Sequence, residues 1–178
     1  MNLVPHQAPD APTPPEAPLW VRAIDALAVA GALAAAVMLT IAVLVVSYMV
    51  VNRAFGASAF WEIEFAIYLM VAAIFLASPY TLKTRGHVNV DLLDVVLPAR
   101  HRRRVSLALA AIGCGVCLYL AWHGWNLFHE AWVTGETSES MWRPQRWPLY
   151  LTMPVGLVLT ALQYCAEVWR LIAAEEGT

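Results

Sequence analysis

The chain has 178 residues, 60% of them hydrophobic and only 13% charged, with a formal net charge of −2. The length suits about one domain, and a charged fraction near half of the ~25% usual in soluble domains points to a membrane protein. The net charge hides a strong local asymmetry and so says little about partners, though nucleic acid is not expected among them, and three cysteines (Cys114, Cys117 and Cys165) set inside apolar runs argue against a secreted disulfide framework.

Residues 1–19 contain six prolines together with Asp10 and Glu16, so they form no helix and read as an extended tail. The remainder, 20–178, reads as one transmembrane domain. Four runs lack Asp, Glu, Lys and Arg: 26–51, 65–82, 105–129 and 147–166. About 20 residues of helix cross the hydrocarbon core, so each run is long enough to span, with helices expected at about 24–51, 62–82, 103–130 and 147–169. The first run is too long for a signal-peptide core and is read as an uncleaved span. A closed barrel would need strict alternation, which these unbroken runs lack. The fold class is therefore an all-α membrane protein with four transmembrane helices.

Small residues recur at four-residue spacing as Ala28, Ala32 and Ala36 in the first span, and as Ala111 and Gly115 in the third, a pattern that permits close helix approach. Cys114 and Cys117, flanked by Gly113 and Gly115, read as small packing residues and not as a redox pair.

The connection between spans two and three holds six of the eleven basic residues, Lys83, Arg85, Arg100, Arg102, Arg103 and Arg104. Four spans place both termini and this connection on one side, where eight Lys and Arg residues stand against three (Arg53, Arg143 and Arg146) on the other. Basic residues near span ends are retained in the cytoplasm, so both termini are expected there, in a multi-pass protein of a bacterial inner membrane. Arg100, Arg102, Arg103 and Arg104 would then face anionic lipid head groups, at about 1 kcal/mol each.

Within that connection, His87, Asp91 and Asp94 fall on a polar stripe beside a broad apolar arc at helical spacing. With Asn89 as N-cap and Pro98 as terminator, the spacing predicts a short cytoplasmic interfacial helix at about 89–97. The eight tryptophans lie at or beyond span ends, six of them on the outer side, as interfacial anchors.

Catalysis or redox chemistry needs polar groups converging inside the bundle. His123, with His129 at the end of the same span, is the sole titratable group well inside a run apart from thiols and tyrosines. Spans one, two and four contain no histidine, so a pair of axial haem ligands on facing helices is not available. No phosphate loop, nucleophile and base, or carboxylate cluster is present, and neither an enzyme nor a cofactor or metal site is expected. A haem-binding electron-transfer anchor and an independent four-span assembly or signalling protein stand as alternatives.

The segment from Asn52 to Leu97 resembles the small permease (DctQ-type) subunit of tripartite ATP-independent periplasmic (TRAP) transporters. The resemblance lies in Arg53 after span one, Trp61 followed by Glu64 at the start of span two, the apolar FAIYLMVAAIFLAS, and RGHVNVDLL with Arg85, Gly86, His87 and Asp91. It implies a non-catalytic subunit that braces a large permease subunit. That subunit would import an organic acid or related solute with sodium, delivered by a periplasmic solute-binding protein. The resemblance implies partner-binding or structural roles for Arg53, Trp61, Glu64, Arg85, Gly86, His87 and Asp91, with Arg53 and Glu64 pairing or meeting the partner. The third connection, with Glu136, Glu139, Trp142 and Arg143, is the expected docking surface for the binding protein. Membrane lipids complete the partners.

Overall fold

The computed structural model describes residues 18–56, 60–96 and 99–176, with side chains for 18–56, 60–84 and 104–173. Four helices follow in order: α1 (Leu19–Ala54), α2 (Glu62–Val96), α3 (Ala99–Thr134) and α4 (Trp147–Glu176). Each holds a segment long and apolar enough to cross a membrane: Leu19–Ala54, Glu62–Thr84, Arg104–Thr134 and Trp147–Ala173. At 36 residues, α1 is about 54 Å long against a hydrocarbon core of about 30 Å, so its ends reach beyond the core.

The expected interfacial helix at 89–97 is not a separate element. The backbone of α2 continues unbroken to Val96, which places Asn89 in the helix interior and not at a cap. No proline stands between 80 and 96, so nothing in that stretch forces the helix to stop. Arg85, Gly86, His87 and Asp91 are thus on the last turns of α2. Their side chains, and those of Arg100, Arg102 and Arg103, lie outside the described residues, as does the proline-rich segment 1–17.

α2 and α4 form the middle of the bundle. α1 packs mainly on α2 and to a lesser degree on α4, α3 packs on α4, and among the described residues α1 and α3 do not meet. Among the described residues the sequence-adjacent α2 and α3 barely touch, so chain order does not predict the neighbours.

Alanine dominates the buried apolar positions, because helices in lipid gain from close backbone approach and not from expelling water. On α1 the buried residues are Val21, Ala28, Ala35 and Ala42. This seven-residue repeat replaces the expected series of Ala28, Ala32 and Ala36. Seven residues are nearly two turns, so the repeat keeps one seam on α2, whereas Ala36 falls outside that seam and is exposed. On α3 the face toward α4 carries Ala110, Gly113, Ala121, Gly124 and Ala131, while Ala111 and Gly115 point outward.

Two glycines set the closest approaches in the middle of the bundle. A Cβ on Gly31 of α1 would stand 2.6 Å from the Leu76 carbonyl oxygen, and one on Gly156 of α4 would stand 2.5 Å from that of Phe75. Both oxygens belong to the turn of α2 preceding Pro79, which is buried and lacks the N–H that would otherwise bond to Phe75. Backbone from both neighbours therefore covers the turn where the helix ladder is interrupted, a geometry suited to weak Cα–H···O contacts.

Candidate functional site

At the end carrying the chain termini, a charged cluster ties three helices together. Both carboxylate oxygens of Asp25 on α1 accept from Arg170 Nη2 of α4 at 2.7 Å. Lys83 Nζ of α2 lies 3.2 Å from Asp25 Oδ2, and Gln163 Nε2 of α4 donates to Oδ1 at 3.1 Å. Arg170 also reaches Glu167 at 3.4 Å. Such a cluster is stable in a membrane only when its charges satisfy one another, and here one carboxylate collects three donors. Trp20 and Trp169 close its edge in a T-shaped contact at 5.9 Å.

Gln163 is fully buried, and Thr160, one turn away, extends the polar seam inward. The Thr160 hydroxyl lies 3.0 Å from Ser78 Oγ of α2 and 2.8 Å from the Gly156 carbonyl of its own helix. The seam was not anticipated from sequence. Asp25, Lys83 and Arg170 each border an apolar run and read singly as flanking charges. Gln163 is not titratable, yet a lone amide inside a span was a usable signal.

At the opposite end, the α3–α4 connection folds back on the start of α2. Gly135, in left-handed geometry at φ 64°, turns the chain after α3. A short antiparallel pairing of Thr137 with Gln145 follows, closed by Ser138 N–H to Pro144 O at 2.9 Å and Arg146 N–H to Glu136 O at 3.0 Å. The Arg146 side chain donates to Glu136 Oε1 at 2.8 Å. Desolvation acts to lower the Arg146 pKa, but the hydrogen bond and charge of Glu136 outweigh it and hold the guanidinium above the ordinary arginine range. Arg143 takes φ 47° at the tip, with its N–H directed to Ser140 O at 3.2 Å.

This folded loop is fastened to α2 twice. The Ser140 hydroxyl donates to Glu64 Oε2, and Trp142 packs edge-on against Trp61 at 6.3 Å and Phe65 at 6.4 Å. Glu62, next to Trp61, is buried and accepts from the Phe60 and Trp61 N–H groups at 3.0 and 3.1 Å, a cap favoured by the helix dipole. A second aromatic group, with Trp132 against Trp147 at 4.9 Å and Phe128 beside them, joins α3 to α4.

The structure thus brings together Trp61, Glu64 and Trp142. Arg53, exposed in the last turn of α1, does not pair with Glu64, whose carboxylate serves Ser140. Glu136 is engaged with Arg146, whereas Glu139 and Arg143 are exposed at the loop surface. Arg104 is exposed at the first turns of the third span. Cys114 is a packing residue on α3, with Sγ 3.8 Å from the Ala161 carbonyl and 4.0 Å from Cys165 Sγ. His123 lies on the exposed side of α3 against Tyr119, at 4.6 Å between ring centres.

The sequence pattern of the family described as tripartite ATP-independent periplasmic transporters, DctQ component, matches residues 42–174. The chain belongs to the DctQ family. It is accordingly the small permease component of a TRAP transporter, a multi-pass membrane protein and not an enzyme.

Among DctQ relatives, the C4-dicarboxylate TRAP transporter small permease protein DctQ of Vibrio cholerae is 21% identical over 180 residues, covering 88% of this chain and 74% of that protein. The isethionate TRAP transporter permease protein DctMQ of Oleidesulfovibrio alaskensis is 26% identical over 113 residues, which is 64% of this chain but 18% of that protein. No solved structure matches the chain. The family match covers α2, α3 and nearly all of α4, and begins inside α1 at Ala42.

Proposed function

We propose that this DctQ component is a static brace for a large permease subunit in a bacterial inner membrane. In this reading the large subunit carries an organic acid or related solute with sodium, and a periplasmic solute-binding protein delivers it. The observation that carries the reading is the bundle's fastening at both ends. Asp25 binds three helices through Lys83, Gln163 and Arg170, and the Glu64–Ser140 bond with the Trp61–Phe65–Trp142 group holds the far loop to α2. A brace must not tilt or shear, and interlocked ends with aromatic anchors suit that task. Within the described residues nothing converges on a substrate.

The distribution of basic residues supports a cytoplasmic position for both termini. The folded loop then faces the periplasm, where Glu139, Arg143, Trp142 and the Glu136–Arg146 pair would receive the binding protein. Arg53 is free to meet a partner at the same level, as it has no pairing with Glu64. On the cytoplasmic side, Arg85, Gly86, His87 and Asp91 shape the last turns of α2, and Arg100, Arg102, Arg103 and Arg104 contact lipid head groups.

The test is purification of tagged protein from its native membrane in mild detergent, with mass spectrometry of what stays bound. A stoichiometric polytopic protein several times larger than this chain is expected. A lone protein, under conditions that keep other membrane complexes intact, would overturn the brace reading.

A further inference from the structure

The two outer helices expose chemically different faces to the membrane. Through the middle of α1 the exposed side chains are mostly aliphatic, with Leu33 at 65%, Val37 at 59% and Leu44 at 63% exposure. Two of its exposed hydroxyls are satisfied internally, Thr40 donating to the Ala36 carbonyl and Ser47 to the Val43 carbonyl, each at 2.8 Å, and a third, the Tyr48 phenol, stands near the end of the charge-free run 26–51. Such a face is at ease in lipid.

The exposed face of α3 is not. Tyr119, His123, Asn126 and Glu130 follow one another at spacings of four, three and four residues, which places them on one side of the helix, opposite the seam with α4. All four are exposed, and among the described residues no hydrogen bond reaches the side chains of His123 or Asn126. The charge-free run 105–129 is centred on Cys117. His123 is six residues from that centre and Asn126 nine, or about 9 and 14 Å of helix rise, so both fall within the ~15 Å half-thickness of the hydrocarbon core. An imidazole and a carboxamide facing lipid at that depth would leave their donors and acceptors unmet, which is costly.

The same face carries a second, independent feature. Ala111 and Gly115 both point outward, and a Cβ placed on Gly115 would have nothing within 4 Å. Below the polar stripe, therefore, Gly115 leaves a notch in the surface of α3 beside the exposed Ile112 and Val116. Small residues there admit a second helix at close range, and polar side chains above it supply interhelical hydrogen bonds.

We infer that this α3 face, and not the α1 face, receives a transmembrane helix of the large permease subunit, one that offers hydrogen-bonding side chains opposite His123 and Asn126. The α1 face is left to lipid. The inference rests on the proposed brace role and specifies which side of the bundle performs it.

The test uses the full chain in its native membrane, with a photo-reactive benzophenone amino acid placed singly at position 119 on α3 or at 37 and 44 on α1. Irradiation is expected to give an adduct between position 119 and the large polytopic protein, with no protein adduct from 37 or 44. The double variant His123→Leu with Asn126→Leu is expected to lower recovery of the large protein by about eightfold, two interhelical hydrogen bonds of average strength. Its helical content and dispersity in detergent should be unchanged, since neither side chain holds the bundle together.

If the large protein co-purifies but position 119 is silent, or the adducts come from 37 or 44, this assignment is overturned while the brace reading stands. An adduct at twice the mass of the chain would place a second copy on the face and overturn it too. Failure of any large protein to co-purify would overturn both readings.

Discussion

The Cα of Gly156 packs directly over the carbonyl oxygen of Phe75, leaving no room for a side chain, since a Cβ would lie 2.5 Å from that oxygen. Because the partner atom is backbone, it cannot rotate away, and any substitution must push α4 from α2. Gly156→Ala is expected to destabilise the bundle by roughly 1–3 kcal/mol, and Gly156→Val by more. Denaturation in mixed detergent micelles, followed by loss of helical signal, measures it. Gly115→Ala, with open space at its Cβ position, is the control and should leave bundle stability unchanged.

Asp25 is the hub of the charged cluster, and removing it leaves Lys83 and Arg170 facing each other without their shared anion. Asp25→Ala should cost on the order of 2 kcal/mol of bundle stability, the range for hydrogen bonds to charged groups. Arg170→Lys should recover part of the loss seen in Arg170→Ala, because a single ammonium cannot reproduce the guanidinium's contacts with both carboxylate oxygens. The same micelle assay separates the three variants.

Ser140→Ala removes the hydroxyl that fastens the α3–α4 loop to Glu64, and Trp142→Ala removes the ring that packs on Trp61 and Phe65. Both are expected to speed amide hydrogen exchange across 136–146 while leaving α1 and the charged cluster protected. Exchange rates unchanged in the loop would show that these contacts do not hold it.

Charge reversal distinguishes surface from scaffold in the same loop. Glu139→Lys alters an exposed charge and is expected to weaken binding-protein docking and uptake without lowering stability. Glu136→Lys breaks the pair with Arg146 as well, so it should both loosen the loop and weaken docking. Docking is measured on reconstituted complex, and an unaltered signal in both variants would remove this loop from the docking surface.

Asp91 lies on the last turns of α2, within the segment that carries the family resemblance. Asp91→Ala is expected to reduce the yield of assembled complex at equal expression of the chain. Unchanged assembly and transport would leave that segment with a local role only.

Much was legible in the sequence because the bilayer imposes its own length scale. Four charge-free runs of 18–26 residues had one solution, and tryptophans and arginines at their ends marked where the spans stop. The RGHVNVD segment was sufficient to suggest the family, and Trp61 and Glu64 were singled out before their contacts with Trp142 and Ser140 were visible. The expected break at Asn89 failed because a capping residue ends a helix only where an alternative geometry competes, and the helical backbone continues through Asn89 to Val96.

The neighbours were decided by tertiary structure alone. Nothing in the order of the spans indicates that α2 and α4 lie in the middle while, among the described residues, α2 and α3 barely touch. Small residues permit close packing without naming a partner, so Ala36 and Ala35, or Gly115 and Gly113, are equivalent as letters and opposite in the fold. The charged cluster is likewise invisible one residue at a time: Asp25 and Arg170 are separated by 145 positions, and only the antiparallel packing of α1 against α2 and α4 brings them together. Composition and the thickness of the membrane therefore determine what crosses, while backbone shape and the pairing of buried polar groups determine what meets.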